Sequence, residues 1–334
     1  MNRFLDMQNS ELKRHKIYPE ALDAIVLAGT DDNPRRMIKG QNKAFLEIGG
    51  KVLVRRVVDA LLEAESIGQI FVVGPSERLE KSLGDIPKEV TLVQQVGKMV
   101  ANAWQAIYAS ESRRKDNHEH NDPLRPLLFI SCDLPLISSA AVDDFAQRCA
   151  REDSRSDIKY AMLAGVAEES SLNSFCRDEK GEGIVRPYVH LSDCRVRLAN
   201  IYVGRPRTLS NQAFLQTGFE HRKAEKWKNV FFLTWRFLSQ AGGWKAAWLT
   251  VRLQATLLAS RKEGGLYRRL RKRNTRERIE QTCGTVLGGT IRIVITPYGG
   301  LSLDADNEDD FRILSKQFDE WADVAPVEPV IRSG

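Results

Sequence analysis

The 334-residue chain is 42% hydrophobic and 28% charged, a composition typical of a globular protein with one large domain or two small ones. Its net charge of +6 is uneven, because residues 205–280 contain 18 Lys and Arg against 5 Glu and no Asp, which leaves the rest of the chain at −7. The chain has no run of about 18 apolar residues and an N-terminus without an apolar stretch, so we expect neither a simple membrane-spanning helix nor a secretory signal.

Cysteine and histidine usage gives little sign of a metal site. The five cysteines are far apart in sequence and form no C-x-x-C pair, which argues against a zinc site or a disulfide framework and favours a reducing cytoplasm. His118 and His120 form a close pair within the polar stretch 112–126. A solvated surface loop is the favoured interpretation of that stretch, with metal binding as the alternative.

Short apolar runs alternate with helical patterns from residue 23 onward. Helical spacing of apolar residues predicts helices at 52–65 and 100–109. Runs typical of buried strands occur at 23–29, 69–75, 91–95, 127–132, 159–166, 195–204 and 290–297. This alternation predicts an α/β fold, a three-layer sandwich with a mostly parallel mixed sheet covered by helices on both faces.

A basic segment at 205–284 interrupts the alternation. Its pattern predicts helices joined at Gly242-Gly243 and Gly264-Gly265, and four of the six tryptophans lie in its first half. We therefore predict an N-terminal extension at 1–20, a main domain formed by 21–204 and 285–325, and a helical insertion at 205–284.

The loop after the first predicted strand carries residues suited to phosphate binding. Ligands of open parallel sheets bind beyond the carboxyl ends of the strands, and Leu27-Ala28-Gly29 ends such a strand. Gly29 lets the backbone approach a base or phosphate closely, although an ordinary tight turn would also use a glycine. Arg36 and Lys43 follow and offer positive charge to a polyphosphate.

These motifs resemble the molybdenum-cofactor-guanylyltransferase-like (MobA-like) NTP transferase family, whose fold is of the GT-A nucleotidyltransferase type. The similarity covers most of 20–204 and 285–322, with Thr30 replacing the family's second glycine and a longer stretch between Arg36 and Lys43. It is carried by LAG at 27–29, Arg36, GQNKAFLEIGGK at 40–51, QQVG at 94–97, Asn102, CDLPL at 132–136 and LDADNEDDF at 303–311.

The resemblance implies phosphate and metal contacts for several residues. Lys43 would contact the triphosphate or the charge that develops on the α-phosphate, and Arg36 would contact the leaving pyrophosphate. Mg²⁺ needs few carboxylates when it also binds phosphate oxygens, and Asp133 and Asp306 are its predicted ligands, with Asp304 as a substitute for Asp306. The alternative is that an aspartate or asparagine of this segment caps the helix starting near Glu308.

The resemblance also assigns residues to the base and to the acceptor. The predicted nucleotide contacts are Leu27, Ala28, Gly29, Lys43, Gln95, Gly97 and Asn102. Gln95 and Gly97 would recognise the base, or else form an ordinary strand end. Arg186 and Asn200 are the predicted acceptor contacts; a solvated arginine and a structural amide hydrogen bond are the alternatives.

The basic segment admits three interpretations. Trp227, Phe231, Trp235 and Leu238 share one helical face, and Trp244, Trp248, Val251 and Leu258 share another. Such faces suit a lid or a homodimer interface, and with the surrounding cations they also suit an anionic membrane surface. Nucleic acid is the least favoured partner, because charge alone does not specify it.

We predict a cytoplasmic, Mg²⁺-dependent nucleotidyltransferase. A peripheral position on the inner face of the membrane is the alternative location. It would join an NMP from an NTP to a phosphorylated sugar, polyol, cofactor or lipid precursor and release pyrophosphate. The alternatives are a glycosyltransferase that uses a nucleotide-sugar on the same fold, and a non-catalytic, membrane-associated nucleotide-binding protein.

Overall fold

The computed structural model describes residues 18–29, 37–116, 122, 124–176, 183–211, 242–262 and 264–329. The strands in this part of the chain are β1 (Leu22–Leu27), β2 (Met37–Ile38), β3 (Gln41–Asn42), β4 (Glu47–Ile48), β5 (Lys51–Val52), β6 (Ile67–Gly74), β7 (Val90–Gln94), β8 (Leu127–Ser131), β9 (Met162–Glu168), β10 (Val189–His190), β11 (Arg195–Gly204) and β12 (Ile291–Thr296). The helices are α1 (Leu53–Leu62), α2 (Ser76–Leu83), α3 (Met99–Asp116), α4 (Ser139–Ser154), α5 (Glu169–Leu172), α6 (Gly243–Ser260), α7 (Gly265–Lys272), α8 (Arg276–Leu287) and α9 (Glu308–Ala322).

One mixed sheet organises the protein, with strand order β12-β9-β11-β8-β1-β6-β7 and β10 paired to β11. β1 runs parallel to both β6 and β8, and β9 runs parallel to β12, whereas β11 is antiparallel to β8 and β9. The chain passes from β1 to β6 and β7 and then returns to β8 on the other side of β1. The carboxyl ends of β1 and β8 therefore meet at a topological switch point, where such sheets bind ligands.

Helices cover both faces of this sheet. Side chains on one face of β1, such as Val26, pack in a core with Val57 of α1 and Phe145 of α4. Ile25 points to the opposite face and packs with Ile107 of α3. Because side chains alternate along a strand, both faces of a buried parallel strand must be apolar. The prediction of a three-layer α/β fold with a mostly parallel sheet is confirmed.

Helix α3 is longer than its apolar pattern predicts and continues through Asp116 into the stretch predicted as a loop. Its last turns are polar, but their side chains bind the sheet. Arg114 is buried and lies 2.8 Å from the buried carboxylate of Asp23. Tertiary ion pairing thus stabilises a helix end whose local sequence favours a loop. His118 and His120 lie outside the described residues.

Three helices, α6, α7 and α8, account for most of the described residues from 242 onward in the basic segment. Two of the helices, α6 and α7, begin after Gly242 and Gly264. Helix α8 packs Val286 and Leu287 against Ile291 of the sheet, so it runs across the predicted boundary at 284/285, and the division into domains stays a prediction. None of the described helices is long and apolar enough to cross a membrane.

The ends of this segment are joined by the backbone. Ser210 N donates to Gly288 O at 3.2 Å, and Asn211 N donates to Leu287 O at 3.1 Å. Residues 212–241, which contain Trp227, Phe231, Trp235 and Leu238, lie outside the described residues. The point where the chain leaves the sheet therefore lies beside the point where it returns.

A buried ion pair anchors the chain where it leaves β11. Arg205 lies 2.8 Å from the Asp153 carboxylate and donates to the carbonyl oxygens of Tyr160 and Leu124, each at 2.7 Å. We expect Arg205→Met to lower the free energy of unfolding by about 3 to 5 kcal/mol, because it leaves the buried Asp153 carboxylate without its cation.

Denaturant unfolding would measure this loss, with Arg207→Met as the matched control. Arg207 pairs with Glu111 at the surface, where an ion pair contributes about 1 kcal/mol or less. Equal destabilisation by the two substitutions would contradict the anchoring role of Arg205.

Candidate active site

The end of β1 forms one wall of the candidate site. Ala28 N donates to Val73 O at 2.9 Å, which extends the pairing of β1 with β6 by one residue. A Cβ added to Gly29 would lie 2.8 Å from Asn102 Nδ2, so a larger residue there would displace the Asn102 amide. Leu27 packs into the core and Ala28 is buried, so the side chains of these two predicted nucleotide contacts belong to the interior.

Lys43 lies where three distant parts of the chain meet. It begins a short helical turn, Lys43–Phe45, capped by the side chain of Asn42 and held by the buried Ala44 and Phe45. Its Nζ lies 2.5 Å from Asp306 Oδ1 and 3.6 Å from Asp133 Oδ2. The fold therefore brings together the predicted catalytic lysine and both predicted metal ligands.

Both aspartates are placed by the ends of regular elements. Asp133 follows β8, is buried, and accepts a hydrogen bond from Ser131 Oγ. Asp306 precedes α9, but Asn307 caps that helix by accepting a hydrogen bond from Asp310 N at 2.8 Å. Helix capping therefore does not account for Asp306, and its carboxylate remains available to Lys43.

Charge balance in the cluster favours the ionised forms of Lys43 and Asp306. Burial opposes the charge of Lys43, but the Asp133 and Asp306 carboxylates outweigh that effect and raise the lysine's pKa. Burial likewise opposes the charge of Asp306, yet Lys43 and Arg186 lower its pKa to about 2. Both groups are consequently charged near neutral pH.

Arg186, the predicted acceptor residue, lies inside a network of carboxylates. Its guanidinium donates to Asp304 at 2.7 Å, to Asp306 at 2.5 Å and to the carboxylate of Asp310. Burial and the charges of Asp133 and Asp306 raise the pKa of Asp304 to about 6. Arg186 thus holds the DAD segment in place, and Asp310 is a network residue that the sequence analysis did not identify.

The cluster fits a divalent cation such as Mg²⁺. Asp133 and Asp306 both reach one cation, the Lys43 ammonium, so their oxygens converge on a common region. No group of three or more His, Cys, Asp or Glu arranged for a metal occurs in the part of the chain that the structure describes. Mg²⁺ is commonly held by one or two carboxylates together with substrate phosphates, so a pair of carboxylates is sufficient.

Asn102 braces the loop after β7. Its side chain is buried, and Oδ1 accepts hydrogen bonds from Val96 N at 2.8 Å and Gly97 N at 3.1 Å while Nδ2 donates to Gly97 O at 3.2 Å. Gly97 has a φ of +129°, which disfavours other residues there. Asn102 therefore positions the loop that carries Gln95 and Gly97, and it does so beside Gly29.

We expect Asn102→Ala to weaken NTP binding about tenfold, or about 1.4 kcal/mol, because the loop loses the three hydrogen bonds that fix it and must then be ordered when NTP binds. Calorimetric titration of NTP would measure the change. Gln105→Ala, an exposed substitution on the same helix, is the control. Nucleotide affinity equal to that of the parent would contradict the bracing role.

Two predicted site residues remain, Arg36 and Asn200. Arg36 belongs to 30–36, which lies outside the described residues, as does Thr30. Asn200 lies on β11 within a shift of register between Leu198 and Tyr202. Its amide makes no hydrogen bond to the described residues of the cluster.

The site lies at a switch point between parallel strands. It combines a glycine at the end of β1 with a lysine held between two carboxylates, and these features together define a nucleotide-binding α/β protein. The chain belongs to the family described as "MobA-like NTP transferase domain", whose model matches residues 24–277. The family resemblance of the sequence motifs is thereby confirmed.

Curated relatives match a limited part of the chain. The 2-C-methyl-D-erythritol 4-phosphate cytidylyltransferases of Rhodococcus jostii (strain RHA1) and Rhodococcus opacus (strain B4) are 34% and 33% identical over 58 residues. This match covers 17% of the chain and about a quarter, 26%, of each relative.

A solved structure matches over a longer range. A hypothetical transferase from Thermus thermophilus superposes with a TM-score of 0.54 at 19% identity, covering 87% of this chain and 99% of that one. At this identity the similarity shows a shared fold.

Proposed function

We propose that the protein is a Mg²⁺-dependent nucleotidyltransferase that joins an NMP from an NTP to a phosphorylated acceptor. The supporting observation is the Lys43 ammonium held between Asp133 and Asp306 at the switch point, beside Gly29. Both reactants are anions, so their reaction requires a site that holds them together and neutralises charge.

In the proposed reaction an oxygen of the acceptor phosphate attacks the α-phosphorus of the NTP. A P–O bond forms there, and the bond from the α-phosphorus to the bridging oxygen of the β-phosphate breaks, so that pyrophosphate leaves. Lys43 stabilises the charge that develops on the transferred group, and the Gly29 backbone admits the nucleotide. No general base is required, because a phosphomonoester is already ionised near neutral pH.

Asp133 and Asp306 would hold the metal ion, which when bound neutralises phosphate charge and orients the triphosphate. Arg186 keeps Asp306 in place through the same guanidinium that contacts Asp304 and Asp310. The residues around the metal are thereby fixed before substrate binds, and such preorganisation is a large part of electrostatic catalysis.

Pyrophosphate release from free NTP tests this proposal. Each of the four NTPs would be incubated with Mg²⁺ and a panel of sugar, polyol, cofactor and lipid-precursor phosphates. CTP is the first nucleotide to test, because the curated relatives are named as cytidylyltransferases. Transfer from a nucleotide-sugar without pyrophosphate would favour the glycosyltransferase alternative, and NTP binding without turnover would favour the non-catalytic one.

We also propose that the outer face of α6 binds an anionic membrane surface. Trp244 and Trp248 are 73% and 68% exposed and share this face with the exposed Val251 and Leu258, whereas Leu249 packs inward. Exposed cations follow along the chain at Arg261, Lys262, Arg268, Arg269 and Lys272. Tryptophan rings suit the headgroup region, and the nearby positive charge complements anionic lipid.

Vesicle flotation would test this surface. We expect the full chain to float with vesicles of phosphatidylglycerol and phosphatidylcholine, and less so with pure phosphatidylcholine or in about 1 M salt, which screens charge. The Trp244→Ser/Trp248→Ser double variant should lose most of the binding, whereas Ile158→Ser, an exposed control outside the segment, should keep it. Absence of flotation, or a dimer that the double variant dissociates, would refute the membrane assignment and in the second case indicate self-association.

A further inference from the structure

A second arginine lies beside the active-site network without a close partner. Arg197 is on β11, and its side chain is 11% exposed. Its NH2 atom lies 3.8 Å from Asp304 Oδ1, beyond hydrogen-bonding distance, and Asp304 already accepts from Arg186 at 2.7 Å. Among the described residues the Arg197 guanidinium has no hydrogen-bond acceptor within bonding distance.

Burying a charged guanidinium without hydrogen-bond partners costs free energy. Burial and the neighbouring charge of Arg186 both lower the pKa of Arg197, and Asp304 offsets them in part. A guanidinium carries five N–H donors in a planar fork that matches the oxygens of a phosphate. An anion bound at this position would supply hydrogen-bond partners that the described residues do not.

Sheet topology places Arg197 on the side of the site opposite the predicted base contacts. The loop after β7 carries Gln95 and Gly97, the predicted base contacts, and is called the base loop here. From β7 the sheet continues through β6, β1 and β8 to β11. Because β11 is antiparallel to β8, with Ile201 opposite Ile130, the start of β11 extends past the end of β8, where Asp133 lies. Arg197 and the base loop therefore lie on opposite sides of the Gly29–Asp133 switch point, along the same edge of the sheet.

We infer that Arg197 binds the phosphate of the acceptor, a phosphomonoester, and so orients the attacking oxygen toward the nucleotide. This assignment rests on the proposed nucleotidyl transfer. It differs from the sequence-based assignment of acceptor binding to Arg186, whose guanidinium is engaged by the carboxylates of Asp304, Asp306 and Asp310. Arg197 is the neighbouring guanidinium, and its N–H groups are not hydrogen-bonded to these carboxylates.

Inorganic phosphate is a suitable probe, titrated calorimetrically into the full chain both alone and after saturation with Mg²⁺ and CTP. We expect Arg197→Gln to weaken phosphate binding about 10- to 100-fold, as befits a charge-assisted hydrogen bond of about 1.5 to 3 kcal/mol, and to leave CTP affinity unchanged. Arg197→Lys should restore part of the affinity, because an ammonium keeps the charge but not the fork.

Arg195→Gln is the matched control, since Arg195 lies on the same strand and pairs with Glu169 at 3.2 Å. Phosphate binding that survives in Arg197→Gln, or that is absent from the parent chain, would overturn the assignment. An equal loss of CTP affinity would move Arg197 to the nucleotide site. Failure of the parent to bind any NTP contradicts the proposed function instead, and the titration with phosphate alone still decides the role of Arg197.

Discussion

Replacing Lys43 by alanine is expected to lower the turnover of nucleotidyl transfer by about 10²- to 10³-fold, a loss typical of removing one preorganised charge from an active site. The lysine is already ionised and already aimed at the region where Asp133 and Asp306 meet, so it needs no rearrangement during the reaction. Pyrophosphate release at saturating NTP measures the effect on turnover, and circular dichroism checks that the fold is retained.

Lys81→Ala is the control for this variant. Lys81 is an exposed lysine that pairs with Glu77 on the same helix, at 3.2 Å, so its removal takes away a positive charge of the same kind without removing an ion pair of the cluster. A Lys43→Ala protein with the turnover of the parent would exclude the lysine from the chemistry. Loss of turnover in both variants would point to an effect of net charge.

We expect Asp133→Asn and Asp306→Asn each to reduce turnover by about 10²- to 10³-fold. Each should also raise the Mg²⁺ concentration needed for half-maximal rate. The amide keeps the shape of the side chain but removes the negative charge that would hold the cation. Binding of Mn²⁺, followed by electron paramagnetic resonance with NTP present, gives a readout separate from activity. Both variants should bind the ion more weakly than the parent.

Asp309→Asn is the matched control, because Asp309 lies in the first turn of α9 with an exposed carboxylate. It should alter neither turnover nor Mn²⁺ binding. If Asp306→Asn lost turnover but bound Mn²⁺ as the parent does, its role would be to pair with Lys43 and Arg186. If Asp133→Asn also bound Mn²⁺ as the parent does, neither aspartate would be a metal ligand.

The apolar patterning predicted the sheet well, because buried strands of a parallel sheet are continuous apolar runs. The predicted strand at 127–132 and the observed β8, Leu127–Ser131, differ by one residue. The end of α3 was not predictable in this way. Its last turns are stabilised by ion pairs such as Arg114 with Asp23, 91 positions away in sequence, and no local pattern indicates such a partner.

The same limit applies to the site. Lys43, Asp133 and Asp306 each belong to a motif at the end of a strand or before a helix, so the sequence indicates them one by one, and the fold brings them together. The roles of Arg186 and Arg197 depend on contacts with the DAD segment more than 100 positions away. The nucleotide contact predicted for Asn102 stays a prediction, and its hydrogen bonds to Val96 and Gly97 make it a brace for the loop after β7.

The backbone contacts at 210–211 and 287–288 have a consequence for how this chain varies. Lys43, Asp133 and Asp306 all lie outside the stretch that those contacts close, and the entry and exit of the stretch are adjacent. A change in the length of this stretch therefore leaves its two ends adjacent, since longer closed loops cost little additional entropy. The proposed membrane attachment and the proposed transfer chemistry thus use different stretches of one polypeptide.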